Sequence, residues 1–326
     1  MKAPIKKIFN EQVEMLNERL HVGILKATKA AAKACYSWIG KGDEKAADQA
    51  AVNAMRSALN ELDISGVVAI GEGERDEAPM LYIGEQVGRG GVELDIALDP
   101  LEGTTLCAHN APNSISVMAM TNKNGFLHAP DTYMEKIAVG NGLPVGVIHL
   151  DNSIKQNLKN LCTAKKCSIY DLHVCVLNRP RHDKLIADIR EAGARVKLIK
   201  DGDVMTAIAT TLPSSEIDLY IGTGGAPEGV LAAAALKVLG GQMQGRLLFK
   251  DEIEEARAKR MGILDTTKVY EINDMVQGEV IFAATGITSG DYLEGLKQHK
   301  DERFSYHSLL ISSITNMISY HKACEL

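Results

Sequence analysis

The sequence predicts a mixed α/β fold, α+β in its first half and alternating α/β in its second, arranged as two closely packed lobes. Three observations carry this expectation. Two helical patterns open the chain and several strand-like runs follow them. After about residue 150 helical and strand-like segments interleave. No Pro- or Ser-rich linker separates the halves, so the lobes, residues 1–150 and 151–326, should pack against each other rather than swing. A chain of 326 residues is long enough for two domains at about 150 residues each, or for one large α/β unit.

In chain order, the first helix is expected over about Glu11 to Trp38, closed by Gly40. The second runs from about Lys45 to Leu62, entered through Gly42 with Asp43 as a plausible N-cap. Strands are expected at Val67 to Ile70, Leu94 to Leu98, Ile115 to Met120, Val145 to Leu150, His173 to Leu177, Val196 to Ile199, Leu219 to Ile221 and Val280 to Ala284. Later helices are read at Asp183 to Ala192, Asp203 to Thr211, Ala226 to Leu239 and Asp251 to Met261.

Composition removes several function classes. With 45% hydrophobic and 24% charged residues the chain is that of a globular protein rather than a disordered or fibrous one. Its 36 Lys and Arg against 42 Asp and Glu leave a net charge of −6, with no basic excess for a nucleic-acid backbone or an anionic membrane. The most apolar stretch, Val230 to Leu239, contains Lys237 and falls short of the roughly 18 residues a spanning helix needs. The opening MKAPIKKIFNEQVEM has no apolar leader-like core, so a cytosolic location is expected. Six scattered cysteines form no CxxC and nine histidines no HExxH, so any metal should be held by carboxylates.

Four acidic or glycine-rich segments could carry chemistry. On the second helix Asp48 shares a face with Val52, Met55, Leu59 and Leu62, and a carboxylate on an apolar stripe is costly unless paired or coordinating a cation, so a metal or catalytic role is one reading and a salt bridge or helix-end position the plain alternative. The turn Gly71-Glu72-Gly73-Glu74-Arg75-Asp76-Glu77 follows a strand; its third dinucleotide-fingerprint glycine is replaced by Asp76, and its acids would repel a pyrophosphate. An acidic solvated turn is the plain alternative. In Asp99-Pro100-Leu101-Glu102-Gly103-Thr104-Thr105, a strand is expected to end at Asp99, with Pro100 stopping the ladder and the Gly-Thr-Thr amides left free. Hard oxygen ligands next to amide donors are what phosphoryl transfer uses, the metal polarising the phosphoryl group and the donors holding it. The turn Gly222-Thr223-Gly224-Gly225-Ala226-Pro227-Glu228-Gly229 leads into an alanine-rich helix and is no P-loop, since Val230 follows Gly229. Arg179 and Arg181 flank Pro180 and could clamp a phosphate, or be ordinary surface charges. Asp201-Gly202-Asp203 could receive sugar hydroxyls or cap a helix.

Taken together, GKGDEKAAD ending at Asp48, IGEGERDEAPMLYIGE around Glu72, DIALDPLEGTT, APDTYMEK around Tyr133, RPRHD, DGD and GGAPEG make the chain resemble the class II fructose-1,6-bisphosphatases of bacteria, within the lithium-sensitive, metal-dependent phosphatase superfamily. The resemblance spans nearly the whole chain and implies a layered αβαβα sandwich and a homodimer or homotetramer. It implies that Asp48, Glu72, Asp99, Glu102 and Glu228 coordinate Mn²⁺ or Mg²⁺, two or more ions per site, with Thr104, Glu72 and Asp48 as the catalytic set and Thr104 positioning the attacking water. Substrate contacts are implied for Glu102, Gly103, Thr104, Tyr133, Arg179, Arg181, Asp201, Gly202, Asp203 and Gly225. The implied reaction is in-line attack of a metal-bound hydroxide on the 1-phosphate of fructose 1,6-bisphosphate. Arg179 stands where a lysine is common, the loop Gly88 to Glu93 is about one residue short, the region after Phe249 is shorter than in relatives, and the segment before about residue 16 carries no readable motif. The same chemistry on sedoheptulose 1,7-bisphosphate, an inositol monophosphate or a nucleotide 3′-phosphate is the alternative within enzymes, and a catalytically silent sugar-phosphate-binding protein the alternative outside them.

Overall fold

Helices α1 (Ala3–Cys35) and α2 (Glu44–Leu59) lie side by side, and the second begins where the sequence places an N-cap: the Asp43 carboxylate accepts from the Ala46 amide at 3.0 Å. A computed structural model describes the backbone of residues 3–73 and 80–325 and the side chains from residue 18 onward; Glu74, Arg75, Asp76 and Glu77 of the acidic turn lie outside the described residues, as do the side chains before residue 18. The chain continues through β1 (Ile64–Ile70), β2 (Gln86–Val87), β3 (Val92–Glu102), the short helix α3 (Thr104–Ala108), β4 (Ile115–Asn122) and β5 (Tyr133–Val139). Then come α4 (Ile154–Lys165), β6 (His173–Leu177), α5 (Asp183–Ala192), β7 (Arg195–Ile199), α6 (Asp203–Ala209), β8 (Leu219–Gly225) and α7 (Ala226–Leu239). The last stretch holds β9 (Gln242–Leu248), α8 (Glu252–Arg260), β10 (Val269–Glu271), α9 (Ile272–Met275), β11 (Val280–Gly286), β12 (Lys297–Gln298), β13 (Phe304–Ser312) and β14 (Met317–Cys324).

The strands form two mixed sheets, one ordered β12-β13-β11-β4-β3-β1-β2 with β14 on the outside of β13, the other β10-β9-β5-β8-β6-β7. Strand periodicity divides the core into layers, because alternate side chains leave opposite faces. Val117, Ala119, Phe282 and Ala284 of the first sheet meet Met134, Ala138, Tyr220 and Met243 of the second in an inner core shared with α6 and α7. Their neighbours Met118, Met120, Ile281 and Ala283 pack outward under α1 and α2. On the far side of the second sheet Ile137, Val139, Val174 and Val176 pack under α4 and α5. The order is therefore helices, sheet, helices, sheet, helices, the layered sandwich expected. Helix α7 fits between two sheets because Ala232, Ala233, Ala234 and Ala235 are all buried, and small side chains let both sheets approach its backbone.

Several local expectations change. The run Val145 to Leu150 is no strand: Gly142 and Gly146 take φ of 72° and 77°, the Gly146 amide is donated to Gln242, and Val147 and Ile148 are apolar because they plug the outer core. Pro100 does not stop its ladder. Strand β3 runs on to Glu102 across a bulge, Asp99 pairing with Val117 and Glu102 with Ile115, a position where a proline without an N–H is tolerated. Neither Asp201 nor Asp203 caps α6; Gly202, at φ 83°, is its N-cap. Strands β5, β9, β13 and β14, and the short β2, β10 and β12, have no counterpart among the expected strands. Residue 150 falls between β5 and α4, and each sheet draws strands from both sides of it.

Candidate active site

The carboxylates converge at the carboxyl ends of β1 and β3, which run parallel, under the first turns of α2 and α7. Asp48 lies on the second turn of α2, and Glu72 follows β1 with its amide donated to Leu81 at 3.0 Å. Asp99 and Glu102 flank the β3 bulge, where the Asp99 Oδ1 accepts from the Leu101 amide at 3.0 Å and so holds the bulge closed. Gly103, at φ 79°, turns the chain into α3, a conformation a side chain would strain. A cavity of about 370 Å³ is lined by Asp48, Glu72, Asp99, Thr104 and Glu228, together with Lys45 and Asp131.

Asp99, Glu102 and Glu228 each offer an oxygen within 4.8 Å of the others'. At an effective dielectric of about 20, two like charges about that far apart repel by roughly 3 kcal/mol, so three full charges would cost a large share of the 5–15 kcal/mol that holds a domain folded. The titration of the group follows. Burial and then the neighbouring acids push Asp99 and Glu102 well above the carboxylate range, and bring Glu72 to about 8, with Asp48 the largest of its charged neighbours. Burial also raises Asp48, and raises Glu228 against the pull of Lys136. The Glu228 Oε2 is buried with no hydrogen-bond partner. An orphaned carboxylate oxygen beside two more hard oxygen donors fits a divalent cation, which would replace proton and repulsion together.

The other expected residues form a second cluster next to this one. Asp201, Gly202 and Asp203 sit at the β7–α6 turn, and the Val204 amide donates to Glu102 Oε1 at 3.3 Å, joining that turn to the carboxylates. Gly225 ends β8 so close to Glu228 that a Cβ there would lie 1.9 Å from Oε2. Tyr133 pairs with Gly225 across the sheet and is exposed; the Arg181 guanidinium lies 4.9 Å from its ring centre. Arg181 is held in place by donating Nη2 and Nε to the Thr223 carbonyl at 2.6 and 3.0 Å. Behind it His182 donates Nδ1–H to the Leu177 carbonyl and accepts the Thr223 amide at Nε2, so this ring buttresses the turn and stays neutral, its pKa lowered by burial. Arg179 opens the same turn and acts on Asp201, whose carboxyl burial raises while the Gly202 amide and Arg179 pull it down. None of Tyr133, Arg179, Arg181, Asp201, Asp203 or Gly225 lines the carboxylate cavity itself.

Sequence reasoning overlooked Lys136 and Tyr220, both fully buried, whose ammonium and hydroxyl meet Asp203 at 2.5 and 2.6 Å. The signal was a lysine within a strand-like run, Tyr133 to Val139, that the reading of the chain passed over. Asp131, a neighbour of Glu72 and of the cavity, was overlooked too.

Clustered carboxylates at the strand ends of a layered α/β molecule supply the hard oxygen donors that a metal-dependent phosphatase uses. A family model described as bacterial fructose-1,6-bisphosphatase, glpX-encoded, matches residues 18–325, and the chain belongs to that family. Curated relatives include the fructose-1,6-bisphosphatase 1 class 2 of Escherichia coli K12, 46% identical over 298 residues, 87% of this chain and 88% of that one. The fructose-1,6-bisphosphatase class 2 of Haemophilus influenzae is 44% identical over 311 residues, covering 91% and 92%. A Synechococcus protein named D-fructose 1,6-bisphosphatase class 2/sedoheptulose 1,7-bisphosphatase is 45% identical over 308 residues, covering 86% and 88%.

Proposed function

We propose that the chain hydrolyses the 1-phosphate of fructose 1,6-bisphosphate to fructose 6-phosphate and phosphate. The observation that carries this is the carboxylate group Asp99, Glu102 and Glu228, whose oxygens lie within 4.8 Å of one another at a cavity that Asp99, Glu228 and Thr104 line, in a chain of this family. Asp48, Glu72, Asp99, Glu102 and Glu228 would hold Mn²⁺ or Mg²⁺, two or more ions, which when bound supply Lewis acidity toward the phosphoryl oxygens and acidify water. Thr104 donates its hydroxyl hydrogen to the Leu101 carbonyl at 3.2 Å, which leaves its lone pairs to accept from water and orient it. Gly103 brings the backbone close to the phosphate. Arg181, anchored on Thr223 and stacked on Tyr133, and Arg179 face the second phosphate, whose planar recognition suits guanidinium. Asp201, Gly202, Asp203 and Gly225 contact the sugar.

The test is phosphate release from fructose 1,6-bisphosphate by metal-stripped protein with Mn²⁺ or Mg²⁺ restored, alongside Glu102→Ala and Asp99→Ala. Release that needs the cation and disappears in both variants supports the reading; near-normal rates in either variant at saturating metal overturn it. The name carried by the Synechococcus relative makes sedoheptulose 1,7-bisphosphate the second substrate to run in that assay. Among the described residues no helix is long and apolar enough to cross a membrane. We place the protein in the cytosol as a homodimer or homotetramer on the family resemblance, and light scattering of the purified chain reads the subunit count.

A further inference from the structure

Lys136 stands on the inner face of β5, where strand alternation aligns it with Met134 and Ala138, and it is 1% exposed. An ammonium ion is stable in such a place only when paired and supplied with acceptors. Here Nζ donates to Asp203 Oδ2 at 2.5 Å and to the Gly225 carbonyl at 3.0 Å. The Tyr220 hydroxyl donates to the same Asp203 oxygen at 2.6 Å. Two donors on one oxygen fix the rotation of that carboxylate, and Oδ1 takes neither bond. The slot is shaped for this side chain: a Cβ on Gly224 would lie 2.4 Å from Asp203 Oδ2 and 2.9 Å from Lys136 Nζ, and one on Gly229 3.2 Å from Lys136 Cδ. Asp203 and Gly225 come from different elements, the start of α6 and the end of β8, and the lysine ties them together.

We propose that Lys136 is a positioning residue for sugar recognition: by fixing the Asp203 carboxylate and the Gly225 carbonyl it sets the contacts that hold the sugar, without touching the reacting phosphate. This rests on the reading above that Asp203 and Gly225 meet the sugar. Methionine has nearly the length and shape of lysine without its charge, so Lys136→Met loosens both contacts while filling the slot. Steady-state kinetics with fructose 1,6-bisphosphate should show KM raised about 10- to 100-fold, the worth of one or two charge-assisted hydrogen bonds, with kcat within about 3-fold. Calorimetric binding of fructose 6-phosphate to the metal-free protein should weaken by a similar factor. Asp203→Asn should do the same, and the double variant should be no worse than the worse single one, because the two act as a unit. A fall in kcat with KM unchanged, or single-variant losses that multiply in the double, overturns the positioning role. If Lys136→Met loses its near-ultraviolet dichroism, Tyr220→Phe removes the other donor to the same oxygen; a KM raised about 10-fold or more is then expected, as for one hydrogen bond to a carboxylate, and an unchanged KM overturns the proposal. A wild-type chain inert toward fructose 1,6-bisphosphate would strike the proposed function, and fructose 6-phosphate binding would still decide the role of Lys136.

Discussion

Thr104 places the sharpest demand on a single side chain. Its hydroxyl hydrogen is committed to the Leu101 carbonyl, so the atom that faces the cavity is an acceptor. Thr104→Ala removes that acceptor and nothing that holds the sugar, so kcat should fall about 100-fold with KM within about 3-fold, the pattern of an interaction made in the transition state. Thr104→Ser keeps the oxygen and should recover most of the loss; a variant in which only KM changes would assign Thr104 to binding instead. The five carboxylates could be picked out of the sequence because each sits against a marker, an apolar helix stripe at Asp48, a glycine turn at Glu72 and Glu228, a strand end at Asp99 and Glu102. Lys136 carried no such marker. It alternates with Met134 and Ala138 on the buried face of β5, where a charged residue itself interrupts the apolar pattern that announces a strand, and its partners Asp203 and Gly225 are 67 and 89 residues away in sequence.

Two helices show how elements aim the site. The N-cap Asp43 starts α2 five residues before Asp48, so losing the cap frays the turn that presents that carboxylate. Asp43→Ala should cost about 1 kcal/mol in urea denaturation, and should weaken metal binding more than a remote change of equal cost, which titration calorimetry measures. Helix α7 carries Glu228 on its first turn and is wedged between the sheets by alanines. Ala234→Leu forces extra methylenes into that layer and should destabilise by about 1–3 kcal/mol, read as a lower urea midpoint with an unchanged slope. The alanine-rich run and its glycine-proline entry made α7 legible from sequence to its observed ends, Ala226 and Leu239. The C-terminal hairpin was illegible for a physical reason. Strand β14 pairs on one side only and alternates half-buried with exposed residues, so Ile318 and Tyr320 lie outward, at 54% and 47% exposure, and their apolar character does not mark a core face. Strand β9, with Gln242, Gln244 and Arg246 on one face, conceals itself similarly, since those side chains serve turns and ion pairs rather than water.

Across the whole molecule, the clustered acids couple folding to pH and to divalent metal. Glu72 titrates at about 8 in the folded chain against about 4.5 when unfolded, a range in which the folded state binds the extra proton. Its contribution is complete below the unfolded value and is lost as pH rises through about 8, and Asp99 and Glu102, raised by the same burial, act in the same direction. Histidines whose pKa burial lowers, His21, His182, His307 and His321, act oppositely, but only up to the ordinary imidazole value near 6.5. Above about pH 7 these four histidines no longer contribute; His128, raised by its bond to Asp95, acts there with the carboxylates and Cys107, lowered by its bond to Cys35, acts against them, so a Glu72→Gln comparison is what isolates the carboxylate. Metal-free protein should lose Tm from pH 7 to 8.5, and Glu72→Gln, which carries no proton to lose, should lose less over the same range. Adding Mn²⁺ or Mg²⁺ should raise Tm by an amount that grows with pH, because the cation displaces protons from its ligands and fewer need displacing as pH rises. Differential scanning calorimetry at pH 6, 7 and 8.5, with and without metal, reads both slopes. A Tm gain from metal that is independent of pH, or one fully retained in Glu102→Ala, would mean the cation stabilises the fold from somewhere other than the ends of β1 and β3.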